Sequence, residues 1–153
     1  MTTPTIGSIS TGTLHPADLL DAFAYELQRY AEPNSYYSDI CRDVRYTLNG
    51  LDRDEIAENK RAQGLVGELQ DALSELAPPY TYFGTLDGDS ADFGFWPDLE
   101  SLEEDARSGE LLKVSDLSEI PPDWIGPVAL VNDHGNLTVG HTVACFKHSW
   151  DCV

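Results

Sequence analysis

Two clusters in this chain carry side chains of the right type for chemistry. The first is Asp87-Gly88-Asp89-Ser90-Ala91-Asp92, an oxygen-rich turn of the kind hard cations take. An EF-hand calcium loop alternates its oxygen ligands, with Gly at position six and Glu at position twelve. Counted from Asp87, position five is Ala91, position six Asp92 and position twelve Asp98. The pattern fails at the glycine, and a solvated hairpin turn is expected instead. The second cluster is His141, Cys145, His148 and Cys152, all zinc-ligand types. On a helix the outer two would stand about 16 Å apart, too far for one tetrahedral ion. Only a tight turn within 144–149 would gather all four. Neither cluster leads us to expect a metal or a cofactor, although a small metal-binding protein using the His/Cys string stands as a minor alternative.

Covalent and acid–base chemistry finds less footing. The chain has no G-x-S-x-G elbow, no phosphate-cradling glycine loop and no H-E-x-x-H pair. Asp133-His134 falls in a predicted turn, where Asp, His and Gly are favoured for backbone reasons. Glu103 and Glu104 have no base beside them. A non-enzymatic protein is expected. Three cysteines and an N-terminus without a basic or apolar leader predict reduced thiols and a cytoplasmic location. No apolar run is long enough for a membrane span.

Charge is the informative property. The 153 residues carry a formal net charge of −18. Residues 1–77 hold 13 acids and 6 bases, 78–123 hold 12 and 2, and 124–153 hold 2 and 1. The excess is therefore densest in the middle, where Tyr80, Tyr82, Phe83, Phe93, Phe95 and Trp96 are interleaved with it. A purely solvated acidic tract would lack those aromatics, so this stretch should be folded. Polyanions such as nucleic acids and anionic membranes are poor partners for such a chain, whereas basic proteins suit it. The bland alternative is an acidic surface kept for solubility or high salt.

The elements that must position these charges read as follows. Pro16 and Asp18 open a helix with Leu19, Leu20, Phe23, Leu27 and Tyr30 on one face, ending near Ala31, with Leu14 stapling onto Leu19. A second helix is expected over 35–48, closed by Asn49-Gly50. A third starts at Asp52 with Glu55 as capping-box partner and runs to Pro78-Pro79, with Gly64 and Gly67 either dividing it or allowing close packing. YTYFG and DFGFW then form a hairpin across LDGDSA, and Asp98 caps a short helix stopped at Gly109. LLKVSD is a strand, and PVALV and NLTVGHTV pair across NDHGN. CFKHSWDCV supplies a last strand. The fold class is α+β, with about three N-terminal helices packed on a C-terminal antiparallel β-sheet that carries one short inserted helix. We expect one domain over 1–153, helical over 13–77 and β-rich over 80–153.

In DFGFWPDLESLEEDARSGELLKVSDLSEIP, in VALVNDHGNLTV and in the helix start TLHPADLLDAF, the chain resembles uncharacterised small acidic proteins of phages and mobile elements. By charge and size it also resembles anti-restriction and anti-CRISPR inhibitors that act as DNA mimics. The resemblance implies no catalytic residue. It implies an inhibitor that binds a basic nucleic-acid-binding protein, a host defence nuclease complex, without touching nucleic acid itself. The expected partner-binding residues are Asp87, Asp89, Asp92, Asp98, Glu100, Glu103, Glu104, Asp105 and Glu110. A non-enzymatic acidic interaction domain is the alternative.

Overall fold

The computed structural model describes residues 3–143 and 146–152. By packing, the chain divides into two compact units, each drawing on separate stretches of sequence. The first comprises residues 7–77 and 83–96; the second comprises 3–6, 78–82 and 97 onward.

The first unit is a helical layer on a small sheet. Helix α1 (Pro16–Gln28) starts where expected, with His15 as its cap and the ring nitrogen of His15 accepting from the Ala17 amide at 3.1 Å. Leu14 stays 60% exposed, and the lead-in is fastened instead by the Thr13 hydroxyl, which donates to Asp18 at 2.6 Å. Helix α2 (Tyr36–Gly50) buries Ile40, Cys41 and Val44; Asn49 and Gly50 form its last turn rather than a stop outside it. The single third helix expected from Asp52 is two. Helix α3 (Arg53–Glu58) opens with the anticipated Asp52/Glu55 capping box, and α4 (Lys60–Glu75) begins after Asn59. The break falls at Asn59 because its side-chain oxygen accepts from the Ala62 amide at 2.9 Å, offering the backbone a better start than a continuous helix. Gly64 and Gly67 neither divide α4 nor bring anything close, since a Cβ at either would meet open space.

Strand β1 (Gly7–Ser10) pairs antiparallel with β3 (Asp89–Pro97), which pairs in turn with β2 (Thr81–Leu86). The loop between β2 and β3 is only Asp87-Gly88, with Gly88 at φ 88°, so LDGDSA is mostly strand. Asp-Gly is the two-residue turn that matches strand twist, which shortens the loop to its minimum. Gly94 has no side chain because the Gly7 carbonyl occupies the place a Cβ would take. Phe23 of α1 meets Phe83 and Phe93 edge-on at 5.2 Å each, joining helix layer to sheet.

The second unit contains α5 (Leu99–Ser108) and the sheet β4-β5-β6-β7, formed by Leu112–Val114, Gly126–Val131, Leu137–Thr142 and Phe146–Cys152. The α+β class and the helices-first order hold. One wholly antiparallel sheet does not: there are two, and β4 runs parallel to β5. The hairpin from Tyr80 pairs with the N-terminal strand rather than with later ones, and the long connection through Pro121-Pro122 carries the chain back for a parallel pairing. The NDHGN hairpin forms as expected, with the Asn132 side chain accepting from the amides of His134 and Asn136.

Candidate functional site

The nine acidic positions singled out from sequence fall into two groups. Asp87, Asp89 and Asp92 belong to the first unit. Asp87 sits exposed at the hairpin tip, Asp89 accepts from the Ala91 amide at 3.0 Å, and Asp92 keeps one buried carboxylate oxygen without a hydrogen-bond partner among the described residues. Asp98, Glu100, Glu103, Glu104, Asp105 and Glu110 belong to the second unit, on or beside α5.

Helix α5 is held at every turn. Asp98 accepts from the Ser101 amide at 3.1 Å and from its hydroxyl at 2.8 Å, and the amide of Asp98 donates to the Tyr80 carbonyl at 2.8 Å. The Tyr80 hydroxyl reaches the middle of the helix and donates to Asp105 at 2.7 Å. Burial, and then this bond to a carboxylate, push the Tyr80 phenol up to about 12. Tyr80 holds both bonds from a left-handed backbone, φ 60°, uncommon for an aromatic residue. At the far end Gly109 closes the helix at φ 86°. Leu102 is buried in a cluster with Leu111, Ala129, Leu137, Val139 and Trp150, against which Ala106 and Tyr80 pack. The indole of Trp150 donates to the Pro79 carbonyl at 2.6 Å, tying β7 to the segment that carries Tyr80.

The carboxylates therefore have different duties. Asp98 is fixed by bonds to Ser101 and Asp105 by the distant Tyr80 hydroxyl, and Glu103 is paired with Lys113 at 2.5 Å. Glu100, Glu104 and Glu110 are exposed, and no cation pairs with them among the described residues. Arg107, four residues after Glu103, donates to the Glu103 carbonyl at 3.3 Å. Over the ten residues of α5, four carboxylates stand against one guanidinium, a net of −3. That is about one charge per 5 Å of helix against about one per 1.7 Å of B-DNA. The density is about a third of the duplex's, and what the helix offers is negative charge on a fixed support. Tyr80 and Lys113 escaped sequence reading, because neither a turn-flanking tyrosine nor a lone strand lysine announces its partner.

The His/Cys string does not assemble. Cys145 lies outside the described residues. In the β6/β7 register His141 opposes Lys147 and His148 opposes Gly140, so the two imidazoles lie on opposite faces of the sheet. Cys152 packs against the core cluster while His148 faces Asp151 at 3.3 Å. Among the described residues no group of three or more His, Cys, Asp or Glu side chains is placed to hold a metal. Cys41 is buried on α2, its thiol 3.6 Å from the Ala24 carbonyl, and burial raises its pKa, so it behaves as a small packed side chain. No described helix is long and apolar enough to cross a membrane.

No protein-family model matches this chain, and no curated protein and no solved structure matches it either.

Proposed function

We propose that this protein is a non-enzymatic inhibitor of the phage or mobile-element type, an acidic DNA mimic in charge and rigidity. Its target is a basic nucleic-acid-binding surface of a host defence nuclease complex, of the CRISPR or restriction kind. The observation that supports this reading best is the exposed set Glu100, Glu104 and Glu110 on and beside a helix pinned by Tyr80, Asp98 and Gly109. Ordered carboxylates without internal cations are available to an external Lys or Arg, and a helix that need not reorganise loses little entropy on binding. Such binding should be fast and salt-sensitive.

The test measures affinity for purified restriction and CRISPR nuclease complexes between about 0.1 M and about 1 M salt, where the screening length falls from about 10 to about 3 Å. Affinity should fall steeply, and Glu100→Lys with Glu104→Lys should weaken binding at least about tenfold. Salt-independent affinity, or binding untouched by that double reversal, sinks the proposal. A second reading, a solvated surface suited to high salt, is favoured by exposed carboxylates throughout the first unit, including Asp21, Glu32, Asp39, Asp54 and Asp71. Folding that requires molar salt would support it.

A further inference from the structure

In the second unit a groove of about 200 Å³ opens between the loop after β4 and the end of β6. Its walls are Leu117, Ile120, Pro121, Trp124, Val143 and Phe146, of which Leu117 is 46% and Val143 64% exposed. Trp124 is fixed in place: its indole donates to the Pro127 carbonyl at 3.2 Å, and its own carbonyl accepts from the Thr142 hydroxyl at 2.6 Å. The groove is thus a built surface with an aromatic wall. It is smaller than the roughly 300–1,000 Å³ of small-molecule sites, and its size suits one or two side chains. Interleaved with its lining residues are the exposed carboxylates Asp116, Glu119 and Asp123. Asp116 is held by the Ser118 amide at 2.8 Å and Glu119 by the Ser115 amide at 3.1 Å. Between Lys113 and Lys147 the chain has no Lys or Arg to neutralise them.

We propose that this groove docks a basic protein segment, seating one apolar side chain against Trp124 while flanking Lys or Arg residues face Asp116, Glu119 and Asp123. Apolar anchors in a pocket with charged surroundings are how protein contacts concentrate their affinity, and Trp124 can in addition stack a guanidinium. A second copy of this chain is opposed by its net charge of −18. The inference shares the basic partner of the preceding proposal but uses a different surface, so either can fail alone.

A random dodecapeptide display library selected on the full-length protein, with recovered peptides then synthesised and titrated, tests it. Recovered sequences should combine Lys or Arg with a Leu, Ile or Phe, and changing that residue to Ala should weaken binding at least about tenfold. Leu117→Ser with Val143→Ser should lose a similar factor. Glu119→Gln with Asp123→Asn should abolish the preference for Lys and Arg; if the serine pair does not fold, this pair decides. Glu100→Lys with Glu104→Lys should leave peptide binding unchanged. Acidic or purely polar selections, no selection above a scrambled background, or binding lost in the α5 variant alone would each overturn the assignment.

Discussion

Replacing Tyr80 by Phe removes one oxygen and keeps the ring against the core cluster, so it isolates the bond that pins α5. That oxygen lies 2.7 Å from Asp105, and a hydrogen bond to a charged acceptor contributes about 1.5–3 kcal/mol when fully buried. Both residues are half-buried, so water recovers part of the loss, and about 1 kcal/mol is the expected cost. Asp105→Asn keeps an acceptor but discards the charge, and should cost less. The assay is chemical denaturation of the wild type, the two single variants and the double variant. Their coupling should be about 0.5–1 kcal/mol. Amide exchange over 99–108 should accelerate in Tyr80→Phe more than exchange over β5 and β6. The alkaline arm follows from the same bond. Tyr80 holds its proton more tightly in the folded protein, so its contribution is complete below pH 10 and disappears as pH rises to about 12. Coupling indistinguishable from zero, together with unchanged exchange in α5, would refute the idea that Tyr80 holds this helix.

Gly64→Ala and Gly67→Ala should each stabilise the protein by about 0.5–1 kcal/mol, because both lie inside α4 with open space at the Cβ; thermal melting shows it as a rise in Tm. The Arg53 guanidinium, bonded to Asp18 at 2.6 and 2.7 Å, and then the Thr13 hydroxyl hold that carboxyl well below the usual range. Its stabilisation is therefore present above about pH 4 and lost as pH falls toward the lowered value. Since Arg53 is 57% exposed, Asp18→Asn should cost only about 0.5–1 kcal/mol at neutral pH and flatten the acid limb of a pH–stability curve.

The elements with strong local chemistry could be read from the sequence. Pro16, the Asp52/Glu55 box, Asp98 with Gly109, and the NDHGN turn each fix their neighbours through bonds spanning four residues or fewer. What could not be read is what depends on distant partners. Nothing in GSIS announces that Gly7 takes a place beside Gly94, and that pairing is what makes two sheets out of one. The capped helix is legible in Asp98 and Gly109, but that Asp87, Asp89 and Asp92 belong to the other unit is not, and the division of the α5 carboxylates into fixed, paired and free depends on Tyr80 and Lys113. The groove beside Trp124 was invisible for the same reason, since its walls come from segments some twenty residues apart.

The interleaving of the two units along the sequence has a consequence for how the protein is made. The first unit has all its strands and helices once residue 96 is synthesised. The second takes pieces from 3–6 and 78–82 but cannot close until Trp150 reaches the Pro79 carbonyl. At about 5–20 residues per second, synthesis of residues 97–152 takes roughly 3–11 s. Throughout that interval Tyr80 and the nascent α5 have no finished sheet to lie on. Translation therefore imposes an order, helical unit first and acidic helix last, and any continuous fragment that holds all of the second unit also holds the first.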